Sequence, residues 1–168
     1  DRQVIAAARK SAPCRLLMSI PGVGAVTATS FTAAIEDPKN FKTSRAVGAW
    51  VGLTTRRLQS GEVDYDGHIS RRGDNHLRGL LYEAATVILT RAVADSALRT
   101  WGRKLWERLG FKRAAVAVAR KLAVIMHAML KSGEMERKKI AFDLHEGLGQ
   151  TLSAIKSYFE RSREQGGS

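Results

Sequence analysis

The 168-residue sequence contains a single cysteine, Cys14, and no long apolar run. One cysteine excludes an internal disulfide and any zinc site built from several cysteines, and it fits a reducing cytoplasm. No apolar stretch approaches the roughly 18 residues needed to cross a bilayer, and no charged-then-apolar leader opens the chain. These absences predict a cytoplasmic protein without membrane contact.

The composition indicates a folded protein with an anionic partner. Apolar residues make up 44% of the chain, and its length suits one hydrophobic core with an appendage. Lysine and arginine outnumber aspartate and glutamate by 28 to 16, and the net charge of +12 favours phosphate backbones as partners. The first 134 residues carry +11 of this charge, so they are the predicted polyanion binder.

Apolar residues recur at helical spacing along most of the chain, which predicts an all-α fold. Two helical runs flank Ile20–Ala25, and the first is interrupted at Pro13. A short buried helix is expected over 44–53, whereas residues 54–72 lose the periodicity and predict a long basic loop. Three further helices are expected, beginning near Asp74 as a cap, at Leu98 and at Lys112, with Gly110 between the last two.

A change of pattern near Ser132 and Gly133 predicts a domain boundary. From Glu134 onward a separate set of apolar residues recurs at steps of three or four, which predicts a C-terminal amphipathic helix and a polar tail. The sequence therefore divides into a helical domain over 1–133 and an appended segment over 134–168.

The segment IPGVGA, from Ile20 to Ala25, has the composition of a helix-hairpin-helix clamp. In such a clamp glycines let the backbone approach a phosphate, and the following helix offers free amide hydrogens and the positive end of its dipole. Gly22, Val23 and Gly24 are the predicted nucleic-acid contacts. The alternative is an ordinary tight turn between packed helices, because glycine turns are common.

Four motifs carry a resemblance to a known family. Between about Leu16 and Gly133 they are LLMSIPGVGAVTA, AWVGLTTRRLQSG, ISRRGDNHLRGLLYEAA and ARKLAVIMHAMLKSG. This ordered set resembles the C-terminal transposase domain of the DEDD-type, Piv-related insertion-sequence transposases. In that family a serine after a GLTPRR-like segment attacks a DNA phosphate and becomes covalently linked to it, and Ser60 occupies the matching position. Thr55 stands where the family often has proline, a mild departure.

The resemblance implies that Ser60 is a catalytic nucleophile in a basic environment. A serine hydroxyl is a weak nucleophile, so it needs a base or a metal nearby and cations that stabilise the phosphoryl transition state. The arginines expected to contact nucleic acid are Arg56, Arg57, Arg71, Arg72 and Arg78. His68 is the nearest base in sequence, but a lone loop histidine is more often a bystander. His76 and His127 fall on predicted helices and are expected to make structural or surface hydrogen bonds.

The resemblance also implies a metal and an RNA. Members of the family carry an N-terminal RuvC-like domain whose four acidic residues bind Mg²⁺. The 168 residues of this sequence are therefore expected to hold no cofactor or metal. Glu62, Asp64 and Asp66 alternate along one segment, but such a pattern is more often a solvated acidic loop. Family members are guided by a structured noncoding RNA, which makes a guide RNA an expected partner beside DNA.

A second resemblance covers Glu136 to Glu160. The stretch ERKKIAFDLHEGLGQ resembles the dimerisation and phosphoacceptor helix of nitrate-sensor-class histidine kinases, which implies a phosphoacceptor role for His145 and a dimeric protein. Glu146 can orient this imidazole, and Gln150 lies about one turn beyond. The alternative is an incidental histidine on an amphipathic helix.

Three functions stay open on the sequence. The first is a DNA-binding transposase in which Ser60 cleaves and transfers strands in the full-length enzyme, while these residues alone bind nucleic acid without recombining it. The second is a signalling histidine-kinase module with His145 as phosphoacceptor. The third is a helix-hairpin-helix module that binds DNA nonspecifically, with a steep salt dependence and no covalent adduct.

Overall fold

The computed structural model describes residues 1–60, 63–69, 73–91 and 95–133, with the backbone alone for 55–60 and 63–68. Residues Asp1–Lys131 form one compact unit. Within the described ranges, no helix is long and apolar enough to cross a membrane. Residues 134–168 lie outside those ranges, so the predicted C-terminal helix and its boundary at residue 133 stay predictions.

Two helices open the chain, α1 over Arg2–Lys10 and α2 over Ala12–Met18. The break lies at Ser11, whose backbone is extended and whose hydroxyl accepts a hydrogen bond from the Cys14 amide at 3.4 Å. Pro13 lies in the first turn of α2, where its missing N–H leaves no bond unmade. Ser11 therefore ends one helix and caps the next, and Pro13 starts the second helix rather than interrupting a longer one.

The next two helices match the apolar runs in the sequence. Helix α3 spans Ala25–Ile35, and α4 spans Arg45–Trp50. A short 3-10 turn, Pro38–Asn40, lies between them and is capped by the Asp37 carboxylate, which accepts from the Lys39 amide at 2.9 Å. Both predicted helices are confirmed.

Residues 55–69 contain a β-hairpin where the sequence predicts a loop. Strand β1, Thr55–Ser60, pairs antiparallel with β2, Val63–Ile69. Ser60 lies opposite Val63 at the turn, and the register is irregular between Thr55 and Arg57. Strand β1, TRRLQS, lacks the apolar alternation that marks most strands, but in β2 Val63, Tyr65 and Ile69 alternate with Asp64, Asp66 and His68. The architecture is otherwise helical, so the predicted fold class is confirmed with this local correction.

Helix α5 spans Asn75–Thr90 and begins at a side-chain cap. The Asp74 carboxylate accepts hydrogen bonds from the amides of His76 and Leu77, at 2.8 and 3.1 Å. These bonds satisfy two of the amides that a helix start leaves unpaired. The cap predicted at Asp74 is confirmed. The face that α5 buries consists of Leu77, Leu81, Ala84, Ala85, Ile88 and Leu89.

A helical pair completes the described chain. Helix α6 spans Ala97–Leu109, and residues 111–133 form α7. Gly110 separates them, as predicted, with a φ of +85° that L-residues with side chains rarely adopt. The rings of Trp106 and Phe111 pack edge to face across this turn, with centroids 4.9 Å apart.

His127 on α7 fixes the segment between α3 and α4. The ring is fully buried, its Nε2 lies 2.8 Å from the Pro38 carbonyl oxygen, and its Nδ1 lies 2.9 Å from the Ser44 hydroxyl. A carbonyl can only accept, so Nε2 carries the hydrogen of this bond. Phe41 packs edge to face on the ring at 5.3 Å. The structural role expected of His127 is confirmed.

One hydrophobic core draws on all seven helices. Its largest fully buried apolar side chains include Leu17, Phe31, Ile35, Leu81 and Leu122. Helix α7 contributes small residues, and their size lets neighbouring helices approach closely. Its buried alanines are Ala114, Ala115, Ala119 and Ala123. The core holds the turn before α3 and the ends of the β-hairpin in place.

Candidate functional site

The glycine segment of the predicted clamp forms a tight turn between α2 and α3. The Val23 amide donates to the Ile20 carbonyl at 3.0 Å, Gly22 has a φ of +94°, and Gly24 is extended and precedes the first residue of α3. No side chain caps α3, and its first turn contains no acidic residue. Its amide end is therefore electropositive, as the clamp hypothesis requires.

The three predicted contact residues of this turn have different surroundings. A Cβ atom on Gly22 would lie 2.7 Å from Ile88 Cγ1 and 3.3 Å from the Ala84 carbonyl oxygen of α5, so packing explains this glycine. Val23 is buried in the core. Gly24 is exposed, and a Cβ atom there would meet nothing within 4 Å. Of the three, Gly24 presents the open backbone that a phosphate could approach.

Ser60 is the last residue of β1, and its partner Val63 is the first residue of β2. The backbone thus places Ser60 at the turn end of the hairpin. At about 3.3 Å per residue, the five steps from Thr55 to Ser60 place this position about 17 Å from the start of β1. The side chains of Ser60, Arg56 and Arg57, as well as all of residues 70–72, lie outside the described part, so their roles stay predictions.

The hairpin starts and ends beside α4, at a junction that we call the hairpin base. It consists of Val51, Leu53, Ile69, Gly73 and Arg78. Val51 and Leu53 are buried, and Ile69 packs against the core. Gly73 has a φ of +96°, and a Cβ atom there would collide with the carbonyl oxygen of Trp50. The chain that returns from the hairpin therefore lies directly on the end of α4.

Arg78, a predicted nucleic-acid contact, lies within the hairpin base. One guanidinium nitrogen donates to the Val51 carbonyl at 3.1 Å, and another donates to the Asn75 side-chain oxygen at 2.7 Å. These bonds link the first turn of α5 to the residue that follows α4. The geometry gives Arg78 a positioning role, and its contact with nucleic acid stays a prediction.

The histidines of the chain and the predicted phosphoacceptor residues form no described site. His76 is exposed at the start of α5, and His127 is buried. The side chain of His68 and the residues His145, Glu146 and Gln150 are not among those described. In the described part, no three His, Cys, Asp or Glu side chains lie close enough together to hold a metal ion.

The largest positive excess lies on α6 and α7, where no nucleic-acid contact was predicted. Residues 95–133, which form α6 and α7, contain nine basic and two acidic residues, a net of +7. Residues 55–91, which contain Ser60 and the five predicted arginines, have six basic and five acidic residues, a net of +1. A charge count by segment would have found the first region.

Comparison with known proteins identifies similar sequences. A family model described as "Transposase IS116/IS110/IS902 family" matches residues 14–100. The transposase for insertion sequence element IS1111A of Coxiella burnetii is 36% identical over 138 residues, and the "Probable family 20 transposase" of Pseudomonas aeruginosa is 34% identical over 131. The transposase for insertion sequence element IS1328 of Yersinia enterocolitica is 35% identical over 123 residues.

The aligned regions cover most of this chain but a minor part of each relative. The aligned region covers 82% of this chain and 38% of the Coxiella burnetii relative, and 77% and 39% for the Pseudomonas aeruginosa relative. For the Yersinia enterocolitica relative the shares are 73% and 37%. The chain therefore spans less than two fifths of the length of these relatives.

Proposed function

The chain belongs to the transposase IS116/IS110/IS902 family, and from this premise we propose that it is the DNA-binding, strand-transferring part of a transposase with Ser60 as nucleophile. The single observation that carries the proposal is the position of Ser60, at the turn end of a hairpin inside the matched region 14–100. A nucleophile at that end lies about 17 Å from the start of β1, the strand that leaves the hairpin base.

The proposed reaction at Ser60 is a transesterification. Ser60 Oγ attacks a backbone phosphorus and forms a serine–phosphate ester, while the P–O bond to the leaving nucleotide breaks. The hydroxyl proton passes to a general base, and the leaving oxygen takes up a proton. One phosphodiester replaces another, so a DNA hydroxyl can later displace the serine without an external energy source.

Two features of the hairpin base support this proposal. Gly73 lies on the end of α4, and Arg78 bonds to the carbonyl of Val51, so both ends of the hairpin are tied to the helical core. A nucleophile must be held close to its productive position for efficient attack. The fixed base supplies that restraint, and Arg56, Arg57, Arg71 and Arg72 are the proposed phosphate contacts nearest to Ser60 in sequence.

The turn before α3 is the proposed backbone contact. Gly24 is exposed, and the amide end of α3 has no capping side chain. A DNA phosphate at this position would accept hydrogen bonds from those amides and interact with the positive helix end. Val23 and Gly22 would hold the turn in its conformation, because both are packed against the core.

Mg²⁺, a guide RNA and a second copy of the chain are the proposed further components. We assign Mg²⁺ to the acidic RuvC-like domain that the resemblance implies. The metal would activate the hydroxyl or stabilise charge at the phosphate. The RNA follows from the same resemblance, and the dimer follows from the predicted helix over 134–168.

The experiment uses the full-length transposase that contains this chain, with end-labelled target DNA and Mg²⁺. Ser60→Ala is expected to abolish the covalent protein–DNA adduct seen on a denaturing gel, because alanine has no oxygen to form the ester. Noncovalent DNA affinity should change by less than about twofold, since one uncharged hydroxyl is removed.

The control is Ser70→Ala, which removes another serine from the same basic stretch. This variant should form the adduct at the level of the unaltered protein. If Ser60→Ala forms an undiminished adduct, or if Ser70→Ala loses it instead, Ser60 is not the nucleophile.

A further inference from the structure

The helical pair α6 and α7 carries exposed cations that have no role in the proposed reaction at Ser60. We infer that they form a second nucleic-acid surface, which binds the phosphodiester backbone of duplex DNA. This surface does not depend on the assignment of Ser60. It rests on the placement of five side chains, which we call the cationic face: Lys104, Arg108, Arg113, Arg120 and Lys121.

Helix α7 is divided into a buried side and a cationic side. Arg113, Arg120 and Lys121 are exposed, and their spacing of seven and eight residues puts them on the same side of the helix. With a rise of 1.5 Å per residue, the stripe from Arg113 to Arg120 is about 10 Å long. In the described part of the chain, none of these three side chains forms an ion pair with a carboxylate, so their charges remain available to a polyanion.

Two cations of α6 extend this stripe sideways. Trp101, Lys104 and Arg108 are spaced by three and four residues, so they share one flank of α6. The Lys121 ammonium lies 4.2 Å from the centroid of the Trp101 ring. This cation–π contact brings the stripe of α7 beside the flank of α6. The five cations therefore lie on adjoining flanks of α6 and α7.

The chemistry of the cationic face favours a backbone over bases. Lysine and arginine side chains contact phosphates without reading sequence, and the acidic residues within 95–133 are only Asp95 and Glu107. Asp95 is paired with Arg99 at 2.8 Å. Unpaired bases bind to open aromatic rings, but the Lys121 ammonium lies over the Trp101 ring. A duplex, with its bases stacked inside, is the nucleic acid that fits this face.

The cationic face reaches the hairpin base. A Cβ atom on Gly48 of α4 would lie 2.9 Å from Arg120 Cγ and 4.0 Å from the methyl carbon of Thr54. The stem of Arg120 therefore lies over α4, close to the residue that precedes β1. A duplex bound along the stripe would extend to the start of the hairpin.

The test compares two triple variants of the full chain that remove the same charge. Lys104→Gln, Arg113→Gln and Lys121→Gln remove three of the five charges of the cationic face, and Arg2→Gln, Arg9→Gln and Lys10→Gln remove three exposed charges of α1. Affinity for a fluorescent 30-base-pair DNA duplex is measured by anisotropy over a range of salt concentrations. The face variant should bind at least tenfold more weakly, with a salt slope lower by about 3, because each lost phosphate contact removes about 0.9 from it. The α1 variant should change affinity by less than about threefold.

Further arms of this experiment fix the occupant. Single-stranded DNA and duplex RNA of the same sequence should lose less affinity than duplex DNA. A larger loss for either of them overturns the duplex-DNA assignment, and equal losses in the two triple variants overturn the surface itself. Circular dichroism checks that both variants are folded. If the face variant is unfolded, the double variant Lys104→Gln and Arg108→Gln is used in its place, because it leaves the Trp101–Lys121 contact intact. Its salt slope should be lower by about 2. An unchanged slope in this double variant also overturns the inference.

Discussion

The hairpin base and the cationic face use their arginines in opposite ways. In the hairpin base, Arg78 donates to a main-chain carbonyl and to Asn75, so its charge holds two helices together. On the cationic face, Arg113 and Arg120 are exposed and form no ion pair with any described carboxylate. Residues 55–91, which contain Ser60 and the hairpin base, thus have little net charge, whereas α6 and α7 carry a net charge of +7 within 95–133.

Substitution of Gly73 is the strongest expected test of the hairpin base. In Gly73→Ala the new Cβ would collide with the Trp50 carbonyl oxygen, and the φ of +96° would be strained. We expect a loss of about 3 kcal/mol in the free energy of unfolding from strain and overpacking together. Urea denaturation followed by circular dichroism measures it.

The matched control is Gly79→Ala in the interior of α5, where a Cβ atom would meet nothing within 4 Å. Alanine should stabilise this exposed helical position by about 0.5–1 kcal/mol. Gly73→Ala and Gly79→Ala should therefore change stability in opposite directions. Similar values for the two would mean that the hairpin base does not constrain the backbone at Gly73.

Removal of the Arg78 side chain is the next largest expected effect. Arg78→Ala leaves the carbonyl of the buried residue Val51 and the Asn75 side chain without these donors, and we expect a loss of about 2 kcal/mol in stability. Arg91→Ala, at the exposed end of the same helix, should stay within about 0.5 kcal/mol. A tenfold loss of DNA affinity in Arg78→Ala with unchanged stability would assign Arg78 to the nucleic acid instead.

Local signals predicted most of the helical elements. The run Ala25–Ile35, the cap at Asp74 and the separation at Gly110 each depend on residues within a few positions of one another, and all three are confirmed. The β-hairpin was missed although β2 carries a strand signal, since Val63, Tyr65 and Ile69 alternate with polar residues, whereas β1 has no such alternation. The dipeptide Gly61–Glu62 between the two runs was a second signal, since glycine-first pairs are typical of tight hairpins.

The contacts that organise the candidate site had no local signal. Arg78 and Val51 are 27 residues apart, and His127 is 83 residues from Ser44. The residues around Gly73 likewise give no sign of Trp50, whose carbonyl oxygen leaves no room for a side chain at position 73. Ser60 was singled out by the family resemblance, because a serine beside glycine is also typical of an ordinary turn. The pairing of α6 with α7, which collects the cationic face, required the fold.

Neutralising one cation of the cationic face should change stability least among these substitutions. It therefore separates a binding arginine from the positioning arginine Arg78. Arg113→Gln removes an exposed side chain without an ion-pair partner among the described residues, so stability should change by less than about 0.5 kcal/mol. The salt slope of DNA binding should nevertheless fall by about 0.9, the amount expected for one phosphate contact. The same two measurements separate the regions, because Arg78→Ala should lower stability and Arg113→Gln should lower the slope. If Arg113→Gln destabilises the protein as much as Arg78→Ala, the face is part of the structural framework, and the division between positioning arginines and binding arginines is lost.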